Sequence, residues 1–358
     1  MKRVIISVTN DLTTDQRVDK VANSLFKAGF TVLLIGRSLP CSLALSKRHY
    51  SAVRLSMFFN KGFLFYLEYN LKLFFYLISK KSDILLSNDL DTICANFFAS
   101  KLKKNKLIYD SHEIFTEVPE LNERPFVKFI WLLIERFFIK KIKTSYTVSD
   151  GFAEYYNQKY GICMSVISNF PLSRIVTESM KKTTQKKIIY QGAVNKDRGV
   201  HLMVEAMLYV NAKLYIVGDG DLLPQIQDHV KRLSLEGKVV FLGKLPFNDL
   251  FKITCSADLG LSFEDDTCLS YRYSLPNKIF DYISAEIPVL VSDLPEFKNI
   301  IEADSIGEVI RKRTPKDVSN QINNLLSVPK SHWVSALRSA KSKYNWQNQE
   351  SKLLSFFS

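Results

Sequence analysis

The 358-residue sequence predicts an α/β protein of two domains, each built on a parallel sheet. Three observations carry this. Short β-rich apolar runs alternate with helical patterns, as βαβ units require. The alternation falls into two separate series, and at about 150 residues per domain the length accommodates both. Finally, 46% apolar and 24% charged residues match a globular protein, usually ~45–50% and ~25%, and exclude disordered, collagen-like and fibrous chains.

The first series opens with a strand at Val4 to Val8, a polar loop Thr9 to Thr14, and a helix from Asp15 to Ala28. Gly29 stands where a helix C-terminal glycine belongs, and Thr31 to Ile35 is the next strand. Further strands are expected at Ile84 to Leu86, Lys106 to Tyr109 and Tyr146 to Val148, with a turn at Asn169-Phe170-Pro171 closing the series. This sets an N-terminal domain at 1–170.

A Lys/Thr-rich stretch, Lys181 to Lys187, leads into the second series. Strands are expected at Ile188 to Gln191, Lys213 to Val217, Val239 to Leu242, Leu259 to Ser262 and Val289 to Val291. Helices alternate with them at Val200 to Tyr209, Leu222 to Leu233, Phe247 to Ser256 and Asn277 to Ser284. The second domain then covers 171–340. Ligands of doubly wound sheets bind beyond the carboxyl ends of the strands, so two Rossmann-like domains in tandem are expected to face each other across a cleft lined by those loops.

The net charge is +13, and it is uneven: residues 1–170 hold 24 Lys/Arg against 15 Asp/Glu, residues 171–358 hold 25 against 21. A basic half suits nucleic acid, an anionic membrane surface or an anionic substrate. Residues 57–78 contain nine Phe/Tyr but are interrupted by Lys61, Glu68, Asn70 and Lys72, too polar to span a bilayer. In 126–143, Lys128, Glu135, Arg136 and Lys143 fall within about 100° on a helical wheel, opposite a broad apolar face. That pattern suits either a core helix or an interfacial one on an anionic membrane. No RNP, zinc or helix-turn-helix signature points to nucleic acid. Five cysteines, at 41, 94, 163, 255 and 268, have no CxxC spacing and read as reduced buried thiols. The apolar run after Met1-Lys2-Arg3 is too short for a signal peptide. The expected location is the cytoplasm, with the inner face of the cell membrane open to it.

Chemistry concentrates at the strand ends. Gly192-Ala-Val-Asn-Lys-Asp-Arg198-Gly199 opens directly onto a helix, whose free N–H groups and dipole attract anions, while Arg198 offers a fork for phosphate oxygens. Gly218-Asp219-Gly220-Asp221 lets a ligand approach the backbone, with Asp221 a candidate cap for the next helix. Gly243-Lys244-Leu245-Pro246 is a third such loop. In Tyr271-Arg-Tyr-Ser-Leu-Pro-Asn-Lys-Ile-Phe-Asp-Tyr282, Pro276 fits a first helical turn. Lys278 and Asp281 share one helix face, placing a cation beside a diphosphate and a carboxylate near sugar hydroxyls.

These segments resemble the donor-binding half of GT-B glycosyltransferases, most closely the retaining family 4 group. The matching pieces are Tyr190-Gln-Gly-Ala through Arg198-Gly199, Ile216-Val-Gly-Asp-Gly220, Val240-Phe-Leu-Gly243, Ala257-Asp258-Leu-Gly-Leu261, Leu275 through Tyr282 and Ile287-Pro-Val-Leu290. Asp15-Gln-Arg-Val-Asp-Lys20 and Tyr109-Asp-Ser-His-Glu113 are similar in the first domain. The likeness continues to Tyr344-Asn-Trp346 before a last helix, within 341–358, that in such proteins crosses back to the first domain.

The resemblance implies transfer of a sugar from a nucleotide diphosphate sugar to a saccharide or lipid-linked acceptor, with retention, in bacterial surface polysaccharide biosynthesis. Arg198 and Lys278 would hold the diphosphate. Gly192, Gly218, Gly243 and Lys244 would line the donor, Asp281 would bind the ribose, and Tyr273, Ser274, Leu275, Pro276 and Asn277 would complete that wall. His112 would touch the donor sugar, with Asp15, Arg17, Asp110 and Glu113 on the acceptor side.

Two residues depart from the family pattern: Tyr273 replaces the first carboxylate of its Glu-x7-Glu motif, and Ala193 replaces an arginine. Glu264, in the acidic run with Asp265 and Asp266, is the candidate surrogate, although such a run is also a natural solvated face. Asp15 is equally a natural N-cap, and Asp110, Ser111 and Glu113 suit a helix-capping loop. No metal and no cofactor beyond the donor are expected: no DxD stands in the donor domain, and Asn88-Asp-Leu-Asp91 reads as a helix start. The rival readings are a sugar-nucleotide epimerase and a non-catalytic nucleotide-sugar-binding or membrane-scaffold protein.

Overall fold

The computed structural model describes residues 1–13, 15–40, 42–174 and 185–358. Thr14, Cys41 and residues 181–184 of the Lys/Thr-rich stretch lie outside them. Packing divides the chain into unit 1, Met1–Asn169 with Gln349–Ser358, and unit 2, Phe170–Asn348.

Unit 1 contains β1 (Arg3–Ser7), α1 (Gln16–Lys27), β2 (Thr31–Ser38), β3 (Ser51–Ser56), α2 (Gly62–Ser79) and β4 (Ile84–Asn88). It continues through α3 (Ile93–Lys103), β5 (Lys106–Ser111), α4 (Pro119–Asn122), α5 (Pro125–Ile139), β6 (Thr144–Thr147), α6 (Asp150–Tyr160) and β7 (Ser165–Val166). The strands form one parallel sheet in the order β3-β2-β1-β4-β5-β6-β7. The order reverses between β1 and β4, which makes that boundary the switch point where ligands of such sheets bind. In α1, Val18, Val21, Ala22 and Leu25 are buried at helical spacing, and Gly29 closes the helix at φ +89°.

Helices that follow strands moving in one direction share a face of the sheet when every crossover has the usual right hand. Accordingly α2 packs on α3 and α3 on α5. In α2 the residues Phe65, Tyr69, Leu73 and Leu77, four apart, form the buried stripe. The aromatic 57–78 segment thus becomes a helix only from residue 62. At the chain's end, Phe356 stacks on Tyr146 with centroids 5.5 Å apart and Phe357 meets Phe30 at 6.2 Å, which fastens the last residues to unit 1.

Unit 2 contains β8 (Lys187–Gln191), α7 (Val200–Ala206), β9 (Lys213–Val217), α8 (Leu223–Arg232), β10 (Val239–Gly243), α9 (Phe247–Ser256) and β11 (Leu259–Ser262). Next come α10 (Leu269–Arg272), α11 (Asn277–Ser284), β12 (Val289–Val291), α12 (Pro295–Asp304), β13 (Gly307–Val309), α13 (Pro315–Ser327) and α14 (Lys330–Lys343), after which α15 (Gln347–Ser355) belongs to unit 1 from Gln349 onward. Its parallel sheet runs β10-β9-β8-β11-β12-β13, with the switch point between β8 and β11. A Cβ on Gly260 would lie 2.5 Å from the Tyr282 ring, so glycine in β11 allows α11 to settle on the sheet. The Tyr282 hydroxyl then donates to the Leu261 carbonyl at 3.1 Å and accepts from the Gln191 N–H at 3.2 Å.

Four sequence expectations need correction. The polar face expected on 126–143 is not one face: α5 stops at Ile139, leaving Lys143 outside it, and Glu135 is fully buried. Its carboxylate accepts from Thr116 Oγ1 at 3.2 Å, Lys159 Nζ at 3.0 Å and the Tyr160 hydroxyl. These partners satisfy a buried charge that would otherwise be costly. Asp221 does not cap α8, whose N-cap is Leu222 without a side-chain bond. Pro276 precedes α11 as its N-cap rather than entering its first turn. Asp110 and Ser111 end strand β5 and cap no helix. Among the described residues no helix is long and apolar enough to cross a membrane.

Candidate functional site

The switch point of unit 2 gathers charge. Lys278, in the first turn of α11, is buried, and its Nζ donates to Glu264 Oε1 at 2.5 Å. Arg198 Nη1 lies 3.8 Å from the same oxygen, and Ser262 Oγ donates to Oε2 at 2.7 Å. Glu264 itself is fully buried, so this member of the acidic run is no solvated face. Burial pushes its carboxyl up, but the charge and hydrogen bond of Lys278, the Ser262 bond and Arg198 outweigh that and hold it below its ordinary value. Both oxygens are engaged with partners beneath two cations, which suits a brace for those cations better than a free acid.

Arg198 stacks over the Tyr271 ring, its guanidinium carbon 4.5 Å from the centroid, while its Nε is buried and has no hydrogen-bond partner among the described residues. An unsatisfied buried donor beside an ammonium is the signature of a place for anionic oxygens. Backbone conformation brings these groups together. Gly199 has φ +67°, and a Cβ there would lie 2.1 Å from the Phe263 carbonyl oxygen. Gly218 has φ +147°, and a Cβ there would lie 1.9 Å from the Gly192 carbonyl oxygen. The loops after β8, β9 and β11 therefore touch backbone to backbone. Gly192 packs under Lys278, whose Nζ also stands 4.5 Å above the Tyr190 ring.

The other donor-side candidates lie around this cluster. Asp281 Oδ2 accepts from Gln191 Nε2 at 2.8 Å, and Gln191 Oε1 accepts from Thr254 Oγ1 at 2.9 Å. Lys244, after Gly243, is exposed and pairs with Asp219 at 3.2 Å. Tyr273 and Ser274 follow α10, with Ser274 Oγ donating to the Tyr271 carbonyl at 2.9 Å. Leu275, Pro276 and Asn277 lead into α11. Sequence reasoning missed Arg313, which pairs with Asp265 and donates to Ser292 Oγ at 2.8 Å and to the Phe263 carbonyl at 3.0 Å. It holds the loop carrying Glu264 from a segment with no motif of its own.

Unit 1 has a second cluster at its own switch point. Asp110, buried at the end of β5, pairs with Arg17 and lies 3.0 Å from His112 Nε2. Asp89, at φ +55° directly after β4, lies 3.4 Å from His112 Nδ1 and accepts from the His112 N–H at 2.7 Å. Burial and Arg17 push the imidazole pKa down, but Asp110 and Asp89 outweigh them and raise it. A carboxyl group thus stands at each ring nitrogen of His112 and favours its charged form. Burial, with the nearby charge of Asp89, pushes Asp91 up to about 7; burial, with Asp89 and Asp91, pushes Glu113 up to about 8. Thr9 Oγ1 donates to Asp91. Asp89 and Asp91 were thus more than a helix start, and their place after a central strand was the available signal. Asp15 caps α1, accepting from the Val18 N–H at 3.0 Å.

Two parallel α/β units of this topology define the GT-B fold of glycosyltransferases. In keeping with this, sucrose-phosphate synthase from Thermosynechococcus elongatus superposes with a TM-score of 0.81 over 100% of this chain and 98% of that one, at 13% identity. Residues 174–340, nearly all of unit 2, match the model of the glycosyl transferases group 1 family. An uncharacterized glycosyltransferase of Methanocaldococcus jannaschii is 26% identical over 175 residues, 46% of this chain and 42% of that protein. The O-antigen chain mannosyltransferase RfbU of Salmonella typhimurium is 23% identical over 217 residues, 58% of this chain and 56% of that protein. The chain spans about half the length of the curated relatives it matches.

Two pH responses of opposite sign follow. Glu264, with its lowered pKa, stabilises the fold above its unfolded value and loses that contribution as pH falls through the folded one. Glu264→Gln is therefore expected to lower the denaturant midpoint at pH 7, with the gap to wild type narrowing below about pH 4. Asp91 has a raised pKa, so the native state keeps a proton that the unfolded chain has shed, and stability declines as pH rises from about 4 to about 7. Asp91→Asn is expected to gain on wild type by on the order of 1 kcal/mol or more between pH 5 and pH 8, measured by the same titrations.

Proposed function

We propose that this chain is a retaining glycosyltransferase that moves a sugar from a nucleotide diphosphate sugar to a saccharide or lipid-linked acceptor in bacterial surface polysaccharide assembly. The observation that carries the reading is the pairing of Lys278 with Arg198 over buried Glu264, with Arg198 Nε unsatisfied. A diphosphate brought to this place meets an ammonium, a planar guanidinium and the start of α11 together. Departure of a nucleoside diphosphate concentrates negative charge on its outer phosphate, and preorganised cations stabilise that charge most where water is excluded. Asp281 binds the ribose, and the glycine-bearing loops at 192, 218 and 243 pass along the nucleotide.

Retention without a protein nucleophile fits front-face attack. The anomeric carbon–phosphate oxygen bond breaks, the acceptor oxygen bonds to the same face of that carbon, and the acceptor proton passes to the leaving phosphate oxygen. Arg198 and Lys278 supply the neutralising charge, so the reading needs no metal and no further cofactor. Glu264 acts as a positioning residue, since it sets where the two cations stand. In unit 1, His112, with its pKa raised, favours positive charge, and Glu113 and Asp91, pushed up to about 8 and about 7, offer polar partners to sugar hydroxyls. The O-antigen mannosyltransferase among the relatives supports a surface polysaccharide role, and the basic, aromatic first half supports cytoplasmic work against the inner face of the membrane. Tyr273, where the family carries a carboxylate, favours one second reading: a protein that binds the nucleotide sugar without transferring it.

A thermal-shift panel of UDP-, GDP-, ADP- and CMP-sugars on the full chain tests the donor site, because a ligand that binds only the native state raises its melting point, by ~2.7 kcal/mol of stability at a hundredfold excess over Kd. One nucleotide is expected to stabilise wild type, with at least about tenfold weaker binding in Arg198→Ala and Lys278→Ala, the loss typical of one charged hydrogen-bond partner. No shift at millimolar concentration with any of the four would overturn the reading. Binding without sugar release or product in a mass-spectrometric assay would leave the non-transferring reading in its place.

A further inference from the structure

On unit 1 the outer surface of α2, α3 and α5 is the reverse of a soluble helix face. Opposite the buried stripe of α2, the residues Phe63, Leu67, Leu71 and Phe75 recur every four positions and all stand in solvent, Phe75 at 62% exposure. In α5, Glu135 and Trp131 point inward while Phe126, Phe129, Leu133 and Phe137 point outward. On α3 between them, Phe98 and Leu102 are exposed, and Phe98 meets Phe138 of α5 at 5.8 Å. Tyr66 of α2 meets Trp131 of α5 at 5.0 Å. The three stripes therefore lie on helices packed side by side, and exposed apolar side chains grouped in this way mark an interaction surface rather than the single scattered residues of an ordinary soluble face.

At the C-terminal end of α3 the same surface runs into a cavity of about 450 Å³. Lys101, Lys104, Lys106, Lys141 and Lys143 line it together with Phe97, and no acidic residue does. The aromatic face and the lysines interlock: Lys141 Nζ lies 3.1 Å over the Phe137 ring and Lys101 Nζ 5.4 Å over that of Phe97.

We infer that the α2–α3–α5 face docks this protein on an anionic phospholipid bilayer, with the five-lysine cavity receiving lipid phosphates. The chemistry decides between occupants. Leucine and phenylalanine on helical stripes enter the acyl boundary, to a depth of about 5–10 Å for interfacial helices, whereas bases need stacking platforms. Lysines at the border reach the head groups while their stems stay on apolar surface. The lysines of the cavity, with no acidic side chain among its lining residues, repel a second copy of the same face. The inference deepens the reading that the protein works at a membrane, and it is independent of donor chemistry, since no residue of unit 2 takes part.

The test is flotation of the full chain with vesicles of phosphatidylcholine alone or mixed with phosphatidylglycerol. Wild type is expected to float with the anionic vesicles and to stay behind with the neutral ones. Replacing Lys101, Lys104, Lys141 and Lys143 by Gln is expected to weaken that partition at least about tenfold, given several-fold per lysine at an anionic surface. Phe75→Ser with Phe129→Ser is expected to leave a residual binding that disappears between about 0.1 M and about 0.5 M salt, where screening removes the electrostatic part. Melting points of both variants, which alter only exposed side chains, should match wild type. Wild type that ignores anionic vesicles, floats equally without the four lysines, or self-associates through this face instead would overturn the inference. The nucleotide-induced shift, read on the same samples, separates this failure from failure of the donor site.

Discussion

The arrangement of unit 2 depends on one buried charge. Glu264 lies at the carboxyl end of β11 with no solvent contact, and an isolated carboxylate there would cost several kcal/mol. Lys278, Ser262 and Arg198 compensate it. That requirement fixes the first turn of α11 against the loop after β8, and it explains why glycine stands at 199 and 218, where any side chain would collide with a neighbouring backbone carbonyl. The result carries more donors than its single carboxylate uses, and the surplus points to where an anionic ligand goes.

Unit 1 solves a similar problem differently. Its switch point holds Asp89, Asp91, Asp110 and Glu113 near Arg17 and His112. Asp110 and Asp89 stand against Arg17 and His112, while burial and neighbouring carboxyls push Asp91 up to about 7 and Glu113 up to about 8. One switch point thus gathers two cations around an acid, and the other gathers four carboxyls around Arg17 and His112. This contrast follows from residues at strand ends rather than from the fold alone.

Much of this was legible because parallel strands buried on both faces read as continuous apolar runs: β9, β11 and β12 fall where their sequences predict. Strand β3, Ser51–Ser56, escapes because it is a half-exposed edge carrying Arg54, and β13 because it is a half-exposed edge with Glu308 at its centre. Lys278 and Arg198 could be read from cations placed beside glycines at strand ends. Glu135 could not, since the helical wheel groups it with Arg136 while its partners Thr116 and Lys159 arrive from elsewhere in the unit. Arg313 acquires meaning only through neighbours remote in the chain.

The most direct test of the account is a crystal structure of the full chain soaked with the nucleotide diphosphate that stabilises it. The account predicts phosphate oxygens within hydrogen-bond distance of Lys278 Nζ and the Arg198 guanidinium, with Glu264 still beneath both cations. A diphosphate bound elsewhere on unit 2, with the Lys278–Glu264 pair closed and Arg198 Nε still without a partner, would contradict it.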